Sequence, residues 1–224
     1  MGNESPVIYI PCKMSSHGVK LKNLRLLGGV PLVMWTIAIS KMLGYPTYLS
    51  SDDLEIQDIF GKYVKTFVCE QKGDKYIVEE LCKYVGGNPT IIYLRPSTPL
   101  RDIDVVKNII KGFGYENAYS LRSAEKMVEP CGKMYWGWGE PVLQVTHDQA
   151  NGERQGLTPT YKPNGYVDIT KTDKIKDELF STPFYLVPVE RTPEIDTEED
   201  LEYANYLIKK KGHFLLDYIK AKLS

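Results

Sequence analysis

Residues 10–23, read as IPCKMSSHGVKLKN, gather Lys13, Ser15, Ser16, His17, Gly18, Lys20 and Lys22 directly after the apolar run Val7-Ile8-Tyr9-Ile10. Small residues at Ser15, Ser16 and Gly18 let backbone N–H groups come close to phosphate oxygens, and Lys13, Lys20 and Lys22 would neutralise a triphosphate. The segment has neither the GxxxxGKS/T nor the GxGxxG spacing, so it is not one of the common glycine-rich phosphate loops. On these residues alone, a phosphate cradle and a solvated basic turn stay equally open.

The elements that must hold this loop alternate along the chain. Val7–Pro11 reads as a buried strand, and Pro31–Leu43 as a helix ended by Gly44. Pro46–Ser51 reads as a second strand, after which Asp52 or Asp53 caps the helix of LEIQDIFGKY. A short strand at KTFV, a helix over Asp74–Gly86 and a nearly continuous apolar run at Thr90–Pro96 follow. A run of that kind suits a central parallel strand covered on both faces. Then come a helix over Asp102–Phe113, strand NAYSLRS, strand NGYVDIT, helix DKIKDELF, strand FYLVPV and a last helix, TEEDLEYANYLIKKKG, with Thr197 and Asp200 spaced as a capping box. This rhythm predicts an α/β fold with a doubly wound, mainly parallel twisted sheet, whose ligand sites lie beyond the carboxyl ends of the strands. Met127–Thr160 breaks the rhythm; rich in Gly, Pro and aromatics, it reads as a β-hairpin excursion.

Bulk properties narrow the classes. The chain of 224 residues suits one domain, 1–224, and carries 28 Lys plus Arg against 29 Asp plus Glu. That balance gives no electrostatic case for a nucleic-acid or membrane-surface partner. No stretch approaches a membrane span, the N-terminus lacks a signal-peptide pattern, and Cys12, Cys69, Cys82 and Cys131 form no CxxC pair. These point to a cytoplasmic protein with free thiols.

Five segments, in order, carry a resemblance. The opening loop followed by LGGVPLVMWTI is similar to IPARGGSKGIPxKN with LxGxPLIxxTI, and YLSSDDLEI to VSTDDEEI. YLRPSTPLR is similar to LLQPTSPLR, RQGLTPTYKPNGYVDIT to RQDLPxxYxxNGAIYI, and PEIDTEEDLEYA to DIDTPEDLxxAE. Together they span nearly the whole chain and resemble the sugar-acid cytidylyltransferases, the CMP-sialic acid synthetase group. The resemblance implies transfer of CMP from CTP to a nonulosonic or related sugar acid, with release of pyrophosphate. It puts Pro11, Lys13, Ser15, Ser16, His17, Lys22 and Asn23 on the nucleotide, and Arg95, Arg154, Tyr161 and Asn164 on the acceptor side. Glu194 and Asp196 fall where the family holds Mg²⁺, and Lys13, Lys22 and Asp196 become the catalytic set. A homodimer is also implied, with the 127–160 excursion helping to join subunits.

Elementary chemistry agrees with that assignment. Charge builds on the leaving pyrophosphate, so cations and a metal supply most of the stabilisation. Glu194 and Asp196, separated by Ile195, project to one side of an extended segment and offer hard oxygen ligands.

Each residue also has a plainer role. Glu194 and Asp196 serve equally as loop and cap carboxylates, Arg95 and Arg101 as ion-pair residues, and His147 and His213 as structural groups. Trp136 and Trp138 read as hairpin packing, and Lys209–Lys211 as a solvated helix end.

The departures from the family pattern are specific. Lys13 stands for an arginine, Met14-Ser15 for a glycine pair, His17 for a lysine, Arg95 for a glutamine, Asp168 for an aromatic residue and Glu194 for an aspartate. Arginine at 95 points to an acceptor with extra negative charge, so a phosphorylated or phosphonate acceptor is a second expectation. The altered loop raises a third, a non-catalytic nucleotide- or sugar-binding paralogue.

Overall fold

The computed structural model describes residues 6–14, 21–70, 72–114, 117–136, 143–144, 153–181 and 183–223. The chain opens with β1 (Val7–Pro11), then a short 3-10 turn (Lys22–Leu24), the two-residue pair β2 (Leu26–Leu27) and β3 (Val30–Pro31), and α1 (Leu32–Leu43). It continues through β4 (Thr47–Ser51), α2 (Glu55–Phe60), β5 (Lys65–Val68), α3 (Asp74–Val85), β6 (Thr90–Tyr93), α4 (Ile103–Phe113) and β7 (Ser120–Lys126). The excursion supplies β8 (Tyr135–Trp136) and β9 (Leu143–Gln144), paired antiparallel. Trp138 and His147 lie outside the described residues. The chain closes with β10 (Tyr161–Lys171), β11 (Phe184–Pro188), α5 (Glu198–Lys211) and α6 (Phe214–Lys222).

Seven strands form one sheet in the order β11-β7-β10-β6-β1-β4-β5. Only β10 runs against its neighbours; β1, β4, β5 and β6 are parallel, as are β7 and β11. The α/β reading of the sequence is what the molecule forms. Alternation along the strands splits the core in two, because successive side chains point to opposite faces. Ile8, Ile10, Ile92 and Leu94 face α1, α4, α5 and α6, while Val7, Tyr9, Ile91 and Tyr93 face α3. Both faces of β1 and β6 are therefore dry, which is why these strands read as unbroken apolar runs.

One expected element needs correction. The segment DKIKDELF is not a helix: a 3-10 turn at Thr172–Lys174 gives way to bends. The Ser181 hydroxyl takes the Lys176 amide and donates to the Glu178 carbonyl, and the Thr170 hydroxyl donates to the Leu179 carbonyl. These side-chain bonds take up backbone groups that a helix would use. Leu179 and Phe180 instead pack into the α3-side core. The helix over TEEDLEYANYLIKKKG forms as read, ended by Gly212 at φ +68, and a further helix that the sequence reading did not include follows it, the His213 ring nitrogen accepting the Leu215 amide to start α6. The capping box at Thr197 and Asp200 forms as read.

Candidate active site

Four chain segments converge beyond the carboxyl ends of β1, β4 and β6. The first loop leaves β1 at Pro11, whose register partner is Ser50 of β4. The Met14 amide donates to Asp52 Oδ1 at 2.7 Å, so Asp52 pins the loop; the N-cap of α2 is Leu54, with no side-chain cap bond, and Asp53 accepts the Glu55 amide in the turn that leads into the helix. Ser15, Ser16 and His17 lie outside the described residues. The loop returns at Leu21, which adopts the left-handed conformation at φ +53. For a residue with a side chain this costs about 1–2 kcal/mol, and it presents the short turn carrying Lys22 and Asn23. Buried Asn23 donates to the Lys13 carbonyl at 2.8 Å, tying the two ends of the loop together.

Lys22 then meets a residue 174 positions away: its Nζ lies 2.9 Å from Asp196 Oδ1. Ile195, fully buried, anchors the 194–196 segment, and its amide donates to the Ser97 carbonyl just after β6. With Ile195 inward, Glu194 and Asp196 emerge together. Lys162 Nζ stands 3.7 Å from Glu194 Oε2. Partial burial, and then the Asp196 charge, hold the Glu194 carboxyl above the usual range, with Lys162, Arg95 and Lys22 pulling the other way. Two hard carboxylates that repel each other, each faced by an exchangeable lysine, are the donor set a Mg²⁺ ion suits.

The region expected to meet the acceptor is built differently. Arg95, immediately after β6, makes an ion pair with Asp168 of β10 and lies 3.6 Å from Asp74 of α3. Its guanidinium rests on the Tyr93 ring, 4.5 Å from the centroid. Burial works against its charge, but Tyr93, Asp168 and Asp74 outweigh it and hold the group protonated, above its ordinary range. Asp168 is fully buried and sits across from Tyr93 on one side and Arg122 of β7 on the other. Arginine at position 95 therefore arrives with its own counterions and is not the spare cation its position implied.

Arg101 is fully buried with no carboxylate bonded to it among the described residues; it donates to the carbonyls of Tyr166, Arg95 and Gly165. Burial pushes its pKa down to about 9, which leaves it charged at neutral pH. It fastens the Arg95 segment to the bulge where β10 shifts register between Pro163 and Asp168. Gly165 in that bulge has φ +64, and a Cβ there would lie 3.2 Å from Arg95 Cδ, so the position needs glycine twice over.

Asn164 is buried, its Oδ1 accepting from the Ser123 hydroxyl and the Tyr166 amide while its Nδ2 has no partner among the described residues. Tyr161 opens β10, half-exposed, beyond the end of β6. The Arg154 backbone forms a short 3-10 turn. Lys13, Lys22, Asn23, Arg95, Glu194 and Asp196 are thus brought into one region, with Asn164 in the wall beside it. Sequence reasoning missed Asp52, Asp74, Arg122 and Lys162. Arg122, a charge facing inward from a half-buried strand, was the one detectable signal among them.

A mainly parallel sheet whose carboxyl ends gather lysines, a carboxylate pair and a buried arginine network is the setting of a nucleotidyltransferase, the class that the comparisons show. The family model described as Cytidylyltransferase matches residues 7–156, and the chain belongs to that family. Pseudaminic acid cytidylyltransferase of Campylobacter jejuni subsp. jejuni is 25% identical over 219 residues, covering 89% of this chain and 94% of that protein. Among solved structures, CMP:2-keto-3-deoxy-manno-octonic acid synthetase complexed with CTP superposes with a TM-score of 0.70 at 13% identity, over 93% of this chain and 100% of that one. 4-Diphosphocytidyl-2C-methyl-D-erythritol synthase of Anaerococcus prevotii gives 0.66 at 12% identity, over 92% and 97%. These two likenesses speak for the fold. The protein is a CTP-dependent nucleotidyltransferase. Among the described residues no helix is long and apolar enough to cross a membrane.

Proposed function

We infer that the protein transfers CMP from CTP to the hydroxyl of a nonulosonic or related sugar acid, releasing pyrophosphate. The observation that carries this reading is the Lys22–Asp196 pair, which joins the phosphate-loop lysine to the carboxylate segment at the carboxyl ends of the strands. The similarity to a pseudaminic acid cytidylyltransferase supports the acceptor class. In this reading Lys13 and Lys22 contact the triphosphate, and the loop backbone, pinned by Asp52 and Asn23, lines it. The acceptor oxygen attacks the α-phosphorus as the bond to the β-phosphate oxygen breaks. Lys22 leaves Asp196 for the developing negative charge on the pyrophosphate, where a fixed cation is worth most. Glu194 and Asp196 would hold Mg²⁺, whose chemistry here is to neutralise phosphate oxygens and orient the α-phosphate.

The phosphorylated-acceptor reading loses its motive, because Asp168 and Asp74 already meet the Arg95 charge. The deciding experiment is a pyrophosphate-release screen crossing four nucleoside triphosphates with sugar acids and sugar phosphates, in the presence of Mg²⁺. Release with CTP and a sugar acid alone is expected. Absence of release with every acceptor would favour the non-catalytic binder, and release with sugar phosphates only would reinstate the second acceptor class.

A further inference from the structure

The turn that carries Lys22 is fastened to the start of α5 by more than the Lys22–Asp196 contact. Lys22–Leu24 is a 3-10 turn, and Arg25 closes it, its amide donating to the Lys22 carbonyl. Residues three apart eclipse in such a turn, so the side chains of Lys22 and Arg25 leave on the same side. Two residues beyond Asp196, Glu198 opens α5. The Arg25 guanidinium grips both oxygens of that carboxylate, Nη1 on Oε1 and Nη2 on Oε2, the latter at 2.7 Å. The Arg25 carbonyl accepts the Leu32 amide at the start of α1, which fixes the backbone that presents the guanidinium. Further along, Asn205 of α5 accepts the Gly28 amide at 2.9 Å and holds the turn between β2 and β3.

These ties differ in what they can do during turnover. In the reading given above Lys22 leaves Asp196 for the pyrophosphate, so that contact cannot hold the loop at the moment the lysine acts. The Arg25–Glu198 fork engages both terminal nitrogens and both oxygens, the strong and geometrically specific form of an ion pair. Glu198 also stands where DIDTPEDLxxAE, the pattern this segment resembles, has a proline. Proline suits the first position of a helix but offers Arg25 no carboxylate. The helix does not require Glu198 for its own start, because Glu199, Asp200 and the Thr197 capping box already serve its N-terminus. We propose that Arg25 and Glu198 are positioning residues that latch the returning limb of the phosphate loop to α5 and hold Lys22 where the triphosphate meets it. The proposal rests on the nucleotide-side role of Lys22 and deepens it; it does not depend on which acceptor is used.

The test titrates CTP with Mg²⁺ calorimetrically into the wild type, Arg25→Gln, Glu198→Gln, Glu198→Pro and the double variant Arg25→Gln/Glu198→Gln. Each single variant should weaken CTP about tenfold, the loss expected when one charge-assisted hydrogen bond is misplaced. The double variant should bind no more weakly than the weaker single, since both changes remove one interaction. Tm should stay within about 3 °C of the wild type, because the pair is exposed. With pseudaminic acid as acceptor, the KM for CTP should rise in the single variants while that for the acid stays within about twofold, since the acid does not meet this limb. Unchanged CTP affinity in the folded variants overturns the proposal, as does a wild type that binds no CTP. Additive losses in the double variant, a larger fall in Tm or an equal rise in both KM values also overturn it, showing general loosening instead of positioning. Weakening by Arg25→Gln but by neither change at Glu198 overturns it too, because Arg25 would then touch the nucleotide directly. If the wild type binds CTP but releases no pyrophosphate with either pseudaminic acid or 2-keto-3-deoxy-manno-octonic acid, the sugar-acid reading fails, and the CTP titrations still decide the latch.

Discussion

The two halves of the site hold their charges in opposite ways. On the nucleotide side Lys22 and Asp196 meet in a pair whose carboxylate is 62% exposed, and Lys162 reaches Glu194 only at 3.7 Å. On the acceptor side Asp168 and Arg101 are fully buried, and their network spans β6, β7, β10 and the Arg95 segment. Exposed pairs are worth little and exchange readily, so the first half can trade its ion pairs for phosphate and metal. Buried pairs are expensive to break, so the second half keeps its shape whether or not acceptor is present. In the proposed reading the first half is rewired during turnover, and the second holds the shape that the acceptor meets.

Asp168→Ala should break the buried half. It leaves Arg95 and Arg122 without their shared carboxylate, with Asp74 as the remaining counterion of Arg95. Removing one partner of a buried charge pair costs about 3–5 kcal/mol, which lowers Tm by about 10 °C or more at this chain length. Thermal unfolding followed by circular dichroism reads it; a shift under 2 °C would show that the network is not stability-determining. Asp196→Ala should do the reverse. Losing a surface pair shifts stability by about 0–1 kcal/mol. Turnover should fall roughly 10²–10³-fold, the size expected when one group stabilising transition-state charge is removed. Pyrophosphate release and Tm measured on one preparation separate the two. If Asp196→Ala unfolds the protein while Asp168→Ala spares it, the contrast between the halves is wrong.

What was legible in the sequence follows the range of the interactions. β1, β6, α1 and α4 announce themselves through local periodicity, and the Thr197–Asp200 box through a spacing of three. The lysine loop and the Glu194/Asp196 pair were visible as residue types, and their meeting followed from the expectation that sites lie beyond the strand ends. The partner of Arg95 was not visible, because Asp168 lies 73 positions away and reaches it through the register of β10 on β6. No local pattern encodes that register. The chain read Arg95 and Asp168 as two separate departures; the fold makes them one. Residues 173–180 misled for the opposite reason, since their helical pattern is real but hydroxyl-to-backbone bonds and the burial of Leu179 and Phe180 override it.

The smallest expected effect separates the acid sensitivity of the scaffold from that of the site. His213 caps α6 through Nδ1, which accepts the Leu215 amide at 3.2 Å, and its ring packs between Trp35 and Phe214. Burial holds its pKa below the usual value, against the opposing pull of Asp102 and Asp217. The unfolded chain therefore binds this proton more readily than the folded one. The stability linked to neutral His213 is present in full above about pH 6.5, the ordinary histidine value, and is lost as pH falls toward the lower folded value. Protonation replaces the accepting lone pair with a donor, and a lost cap costs about 1 kcal/mol, or roughly 2–4 °C in Tm. His213→Asn keeps a capping oxygen and removes the titration, so its Tm should be flatter than that of the wild type between pH 7.5 and 5. Equal slopes would show that the His213 cap does not set the acid limb, and would turn attention to the Glu194 carboxyl, which burial and the Asp196 charge hold above the usual range.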